Sequence, residues 1–206
     1  MRNDAADRSP IFSTRAKPRS ENSDEELIAK IADGNRLAMQ VLYARHQTRI
    51  FRLLLCLVGD ADIAEGLVAD VFLSAWRLAP RFDGSTTVST WLIAIARRKA
   101  DAALHRNVAT QSSVERVAVD DPTPARLTAS RAVHRGEKLR SCLAKLPREQ
   151  REMIDLVYYH GKSLPEIAGI TGMSQDGVQA RMLQARRRLS ELLEGVAHRV
   201  QDSVRM

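Results

Sequence analysis

A chain of 206 residues, 44% of them hydrophobic, is long enough for one or two domains with a sizeable helical core. Its formal net charge of +7 favours a polyanionic partner, nucleic acid before membrane, while aromatics at 4% exclude an extensive base-stacking platform for single strands. Cys56 and Cys142 stand far apart in apolar helical patterns without metal-ligand spacing, no apolar run is long enough to span a membrane, and the first residues lack the apolar core of a signal peptide. Buried thiols and a location inside the cell are therefore expected.

Residues 1–22 are polar, carry Pro10 and Pro18 and show no periodicity, which reads as a disordered, mildly basic tail. Order is expected from Ser23, where Ser23 and Glu26 form a capping box before Leu27, Ile28 and Ile31, and Gly34 ends the helix. A second helix places Leu42, Ile50, Leu53, Leu54 and Leu57 on its inner side and stops at Gly59. Asp60 caps a third, with a broad stripe of Ile63, Leu67, Val68, Val71, Phe72 and Ala75 and an acidic outer side of Asp62, Glu65 and Asp70. Pro80 closes it, and residues 81–87 make a polar loop. A fourth helix, from about Val88 to Arg106, is apolar at Trp91, Leu92, Ile95 and Leu104 and basic at Arg97, Arg98, Lys99, His105 and Arg106. An acidic helix beside a basic one suits two partners of opposite charge.

Residues 107–134 read as a linker: Asp120, Asp121 and Pro122 fall in a stretch with no stable apolar face, helical pattern resumes only after Pro124, and Gly136 is a potential break or kink. Leu139, Leu143 and Leu146 lead to Pro147, a good first helical residue for the helix of Met153, Ile154, Leu156 and Val157, which His160 and Gly161 end. The stretch from Ser163 to Leu193 has the pattern of a helix-turn-helix. Ser163 and Glu166 form a capping box around Pro165; Ile167, Ala168 and Ile170 supply the buried face, and Thr171-Gly172-Met173 the tight turn. Ser174 caps a second helix whose apolar positions Val178, Met182, Ala185, Leu189 and Leu192 form one stripe. Its other faces carry Gln175, Gln179, Arg181, Gln184 and the run Arg186-Arg187-Arg188, amides and guanidiniums suited to a major groove flanked by phosphates. No strand signal, repeat or glycine-rich phosphate loop appears, and the five histidines are scattered away from carboxylates at ligand spacing, so neither an enzyme nor a cofactor is expected.

Taken together, the chain resembles a bacterial RNA polymerase sigma factor of the sigma-70 family, extracytoplasmic-function group, from Ser23 to Leu193 apart from the linker. Residues 62–73 followed by Ala75-Trp76 resemble the helix that docks on the polymerase β′ clamp. Phe82-Asp83-Gly84, Ser89-Thr90-Trp91-Leu92 and Ile95-Ala96-Arg97 resemble the −10 reading segment. Leu146-Pro147, Gln150-Arg151 and Glu166-Ile167-Ala168 resemble the fourth sigma region, and Ala185-Arg186 its recognition helix.

The resemblance implies an all-α protein: a region 2 four-helix bundle (23–106), a flexible linker (107–134), a region 4 helix-turn-helix domain (135–198) and a tail (199–206), in the bacterial cytoplasm. It further implies core polymerase (β′ clamp helices and β flap), promoter DNA and an anti-sigma factor as partners. Asp62, Glu65 and Asp70 would meet polymerase; Phe82, Asp83, Thr86, Thr87, Trp91, Arg97, Arg98 and Lys99 the −10 element; Ser174, Gln175, Gln179, Arg181, Arg186 and Arg187 the −35 element. Trp91, at a helix start, suits the core better than a DNA wedge. The chain departs from the family at Gly66, often Asp there, at Ala69, often polar, at Arg98 and Ala102, and at Gly177-Val178-Gln179, usually Thr-Val-Lys. Those departures are expected to leave the fold intact and to bear on the polymerase contact and the −35 sequence; by helix propensity alone Gly177 is expected to weaken its helix by about 1 kcal/mol relative to Ala. Two alternatives are a free-standing dimeric helix-turn-helix regulator, which leaves the acidic helix unexplained, and a degenerate family member that titrates its partners without initiating.

Overall fold

The computed structural model describes residues 23–111 and 139–203, with side chains from 23 to 106 and from 139 to 194. The expected N-terminal tail, the linker beyond Gln111, the helical pattern after Pro124 and the break at Gly136 lie outside the described residues. Every regular element among the described residues is helical: α1 (Asp24–Ala32), α2 (Arg36–Val58), α3 (Ala61–Leu78), a 3-10 turn (Ala79–Arg81), α4 (Val88–Gln111), α5 (Arg148–Ile154), a π turn (Asp155–Tyr159), α6 (Leu164–Thr171) and α7 (Gln175–Ser203). Residues 139–144 are also helical.

Side-chain caps set most of the starts. Ser23 accepts from the Glu26 amide at 3.2 Å, Asn35 from Ala38 at 3.1 Å and Asp60 from Ile63 at 2.9 Å, each worth about 1 kcal/mol to its helix. Gly59 ends α2 in the left-handed conformation, its amide bonding the Leu55 carbonyl. Two expectations are corrected. Pro147 is the N-cap of α5 rather than its first helical residue: its ψ of 144° keeps it extended, and only its carbonyl joins the helix, accepting from Gln150 and Arg151. And α4 runs on to Gln111, past Arg106.

The four N-terminal helices form a bundle around Leu42, Leu54, Ala64, Val71, Ala75, Leu92, Ala96 and Ala100, all fully buried. Every expected inner residue of α2 is buried, whereas on α3 the stripe is turned so that Ala64 is buried and Ile63 only partly so. The C-terminal helices are continuous with this core: Met153, Leu156, Ile167, Ile170, Val178 and Met182 belong to the same buried cluster, with α6 packed on α4 and α5 on α2. A smaller cluster of Leu146, Ile154 and Ala185 holds α5 to α7.

At the start of α1, Asp24 bonds His46 at 2.7 Å and Arg45 at 2.9 Å, tying α1 to α2. The His46 hydrogen bond, helped by Arg45 and opposed by partial burial, holds the Asp24 carboxyl below the ordinary 3.8. A lowered carboxyl pKa stabilises the fold above its unfolded value and ceases to do so as pH falls through the folded one. Asp24→Asn is expected to cost about 1 kcal/mol at pH 7 in urea unfolding, with the gap to the parent closing below pH ~3.8. Gly66 and Gly177 are expected to behave oppositely. A Cβ on Gly66 meets nothing within 4 Å, so Gly66→Ala is expected to stabilise α3 by about 0.5–1 kcal/mol in the same assay. A Cβ on Gly177 would come 3.2 Å from the Ser174 hydroxyl and 3.3 Å from the Met173 methyl, so Gly177→Ala is expected to bring no such gain.

Candidate nucleic-acid interface

The helix-turn-helix is built from local hydrogen bonds. Glu166 accepts from the Ser163 amide at 2.9 Å and the Ser163 hydroxyl at 2.8 Å, closing the expected capping box. Gly172 turns the chain at φ 71°, and the Gly177 amide donates to the Ser174 hydroxyl at 3.1 Å, which starts α7. Gly177 is thus the residue whose missing side chain leaves room for that cap. Val178, Met182 and Ala185 seat α7 in the core, with Leu189 and Leu192 partly buried beyond them.

That seating decides what α7 presents. Ser174, Gln175, Gln179, Arg186 and Arg187 are exposed. Gln175, Gln179 and Arg186, four and seven positions apart, line one flank of the buried stripe, and Arg186 approaches the Tyr158 ring at 5.8 Å. Arg181, two residues from Gln179, falls on the opposite flank, where Glu149 of α5 holds its guanidinium at 2.6 Å. The −35 residues expected from sequence therefore divide into an amide-bearing flank and an arginine already paired within the C-terminal unit.

The expected −10 residues also divide. Asp83 and Gly84 (φ 72°) turn the loop after the 3-10 element, with Asp83 accepting from the Ser85 amide at 2.9 Å; that bond holds the exposed carboxyl below its ordinary range. Phe82 packs against Trp91 with ring centroids 5.1 Å apart, both half-buried, which places Trp91 with the fold rather than in solvent. Thr86 and Thr87 are exposed, and Thr87 accepts from the Thr90 amide at 3.2 Å to start α4. Arg98 is exposed and Lys99 half-buried. Arg97, in contrast, points at the C-terminal unit: its Nε meets Glu152 at 2.7 Å, and its Nη1 lies 3.3 Å from Asp101.

Those contacts were beyond sequence reasoning. Thr90, buried, donates to Glu166 at 2.7 Å and accepts from Lys162 at 2.9 Å; Arg148 bonds Asp101 at 2.6 Å. Glu152 is 3% exposed, and burial pushes its carboxyl up against the opposing pull of Arg97. Arg52 of α2 stacks 3.6 Å over the Tyr159 ring and reaches Asp155 at 3.4 Å, both residues of the π turn. Each partner lies dozens of positions away in the chain, so no local pattern announces the pairing. The π turn has no expected counterpart in the sequence.

On α3, Asp62, Glu65 and Asp70 are exposed as expected, and Leu73, half exposed, adds an apolar spot among them. An apolar groove of about 760 Å³ separates α2 from the C-terminal helices, with Leu55, Cys56, Leu143, Ile154 and Leu189 among its lining residues. Burial pushes the Cys56 thiol up to about 12, which keeps it protonated and unreactive. Among the described residues no helix is long and apolar enough to cross a membrane, and no group of three or more His, Cys, Asp or Glu is placed to hold a metal ion.

Comparison with known proteins agrees with this geometry. The family description "Sigma-70 region 2" matches residues 42–109 and "Sigma-70, region 4" residues 136–189. The RNA polymerase sigma factor CnrH of Cupriavidus metallidurans is 30% identical over 84% of this chain and 96% of its own length, and the ECF RNA polymerase sigma factor SigM of Mycobacterium tuberculosis is 32% identical over 85% and 87%. Among solved structures, CnrH in complex with the cytosolic domain of CnrY superposes with a TM-score of 0.59 at 26% identity, covering 84% of this chain and 97% of that one. The sigma factor RpoE of Bartonella quintana, solved with the anti-sigma factor NepR, superposes with a TM-score of 0.61 at 26% identity, covering 75% and 96%. The chain belongs to the extracytoplasmic-function group of the sigma-70 family, non-enzymatic factors that bind core RNA polymerase and recognise promoters.

Proposed function

We propose that the two helical units divide the promoter between them, residues 23–106 reading the −10 element and residues 135–198 the −35 element. The observation that carries this reading is the exposed flank of α7, where Ser174, Gln175 and Gln179 follow a capped helix start and Arg186 and Arg187 lie further along. Amide side chains near a helix N-terminus suit bidentate contacts to base edges, while the guanidiniums hold phosphate and set register without reading sequence. Arg181 joins the phosphate contacts once it exchanges Glu149 for DNA. In the other unit, the Phe82–Thr87 loop holds a flipped non-template base, since opening a promoter requires a base to leave the stack, and Arg97, Arg98 and Lys99 follow the strand's backbone.

Polymerase binding falls to the outer face of α3, where Asp62, Glu65 and Asp70 pair with basic groups of the β′ clamp around the apolar contact of Leu73, and to the C-terminal unit against the β flap. Regulation by an anti-sigma factor fits the same reading. Two solved relatives are held by other proteins, CnrH by the cytosolic domain of CnrY and RpoE by the anti-sigma factor NepR. No feature of α3, acidic outside and apolar inside, serves a free-standing operator-binding dimer.

Two substitutions separate these roles. Arg186→Ala with Arg187→Ala is expected to weaken binding to all promoter duplexes and to flatten the plot of log affinity against log salt by roughly one to two units of slope, measured by fluorescence anisotropy. An unchanged slope removes both from the phosphate contacts. Gln179→Ala is expected to change which −35 sequences are bound from a randomised duplex pool, at about 1–3 kcal/mol for the preferred base. Equal loss on every sequence counts against base reading by Gln179.

A further inference from the structure

We propose that the groove between α2 and the C-terminal helices is a binding site for a free single-chain carboxylate, an unesterified fatty acid. Its lining is mostly apolar: Leu55 from α2, Leu143 from the helical residues 139–144, Ile154 and Tyr158 from α5 and the π turn, Leu189 and Leu193 from α7. Leu55, Tyr158 and Leu193 stay 36%, 65% and 38% exposed, so they form an uncovered apolar patch around a cavity rather than part of the core. The Cys56 thiol beside them, protonated because burial pushes it up to about 12, adds no charge. At about 760 Å³ the groove has the size of a small-molecule site, in the range of about 300–1,000 Å³. From Arg151 to Tyr158 it runs seven residues, about 10 Å of helix. A protein partner would have to spread over about 800 Å² of surface, well beyond those two turns.

The charges at this lining are unequal, and the imbalance selects the head group. Arg52, Arg140, Arg151 and Arg186 stand against a single acid, Asp155. That acid is already engaged: Arg52 meets one of its oxygens at 3.4 Å, and His160 lies 3.2 Å from the other. Arg151, one turn before Asp155 on the same helix, is left without an ion pair among the described residues. Its Nε is buried and has no hydrogen-bond acceptor. A buried N–H without an acceptor costs free energy, which an incoming anion recovers. A carboxylate suits a guanidinium best, taking two parallel N–H bonds at once, while an alkyl tail covers the leucines. A ligand seated this way touches α2 and the C-terminal helices together, so it stabilises the arrangement that forms the groove.

The test uses the full chain and isothermal titration calorimetry with decanoate below its micelle concentration, decan-1-ol as the uncharged counterpart and acetate as the head group alone. One decanoate is expected to bind per chain, on the order of tenfold tighter than decan-1-ol, with no binding of acetate. Arg151→Ala is expected to bring decanoate down to the affinity of decan-1-ol and to leave the alcohol unchanged. Ala144, exposed at the groove wall, gives a second variant that does not disturb the core: Ala144→Trp is expected to abolish binding of both with the circular dichroism of the parent. Absence of decanoate binding, equal affinity for the alcohol, or binding that survives Ala144→Trp overturns the site. So does a dimer in analytical ultracentrifugation that Ala144→Trp dissociates, which puts a second copy in the groove. Saturable binding of a Glu-rich amphipathic helical peptide that decanoate does not displace assigns the groove to a protein segment instead.

Discussion

Helix α4 has to satisfy two surroundings at once, and the rest of the molecule is arranged by that constraint. One side of it, Leu92, Ala96 and Ala100 with Val88 and Ile95, is buried without remainder in the N-terminal bundle. Another carries Thr90, Arg97 and Asp101, polar groups of which Thr90 is buried and needs partners while the other two are partly covered. Glu152, Glu166 and Arg148 supply them from helices far along the chain. Around these polar pairs the two units also share apolar packing, with Met153, Leu156, Ile167 and Ile170 in one buried cluster with the N-terminal bundle.

The charges follow the same logic. The chain is basic overall, yet its acids are placed locally: Asp62, Glu65 and Asp70 face outward from α3, and Glu149 and Glu152 face arginines of the proposed DNA-reading set. Net charge therefore draws the protein towards nucleic acid, while the detailed pairing keeps two of its arginines engaged in the absence of DNA. Exposed Gln175, Gln179, Arg186 and Arg187 lie outside those pairs, so the α7 flank stands open even with the units docked.

Local features were legible from sequence. The caps at Ser23, Asp60, Ser163 and Ser174, the glycine stops at Gly59 and Gly172, and the inner stripes of α2 and α7 all depend on residues within a few positions of one another, and all are present. The cap at Asn35 and the placement of Pro147 as N-cap were missed because both hinge on a single backbone angle at a helix start. The contacts between the two units were out of reach for a different reason. Nothing near Arg97 in sequence says that Glu152 will meet it, and a row of basic residues on α4 reads equally well as a free face. The division of the −35 set, with Arg181 turned away from Gln179, was implicit in the helical period but decided only by where Val178 and Met182 are buried.

The central claim is that this chain, with Gly66 and Ala69 on the outer face of α3 and Gly177 at the start of α7, directs initiation. Run-off transcription with purified core polymerase on the promoter region of its own gene tests that claim most directly. Transcripts from a single start site that appear only when the protein is added are the expected result. Core polymerase that binds the protein and yet gives no specific transcript from that region or from any genomic promoter would contradict it, and would identify a factor that occupies polymerase without starting RNA synthesis.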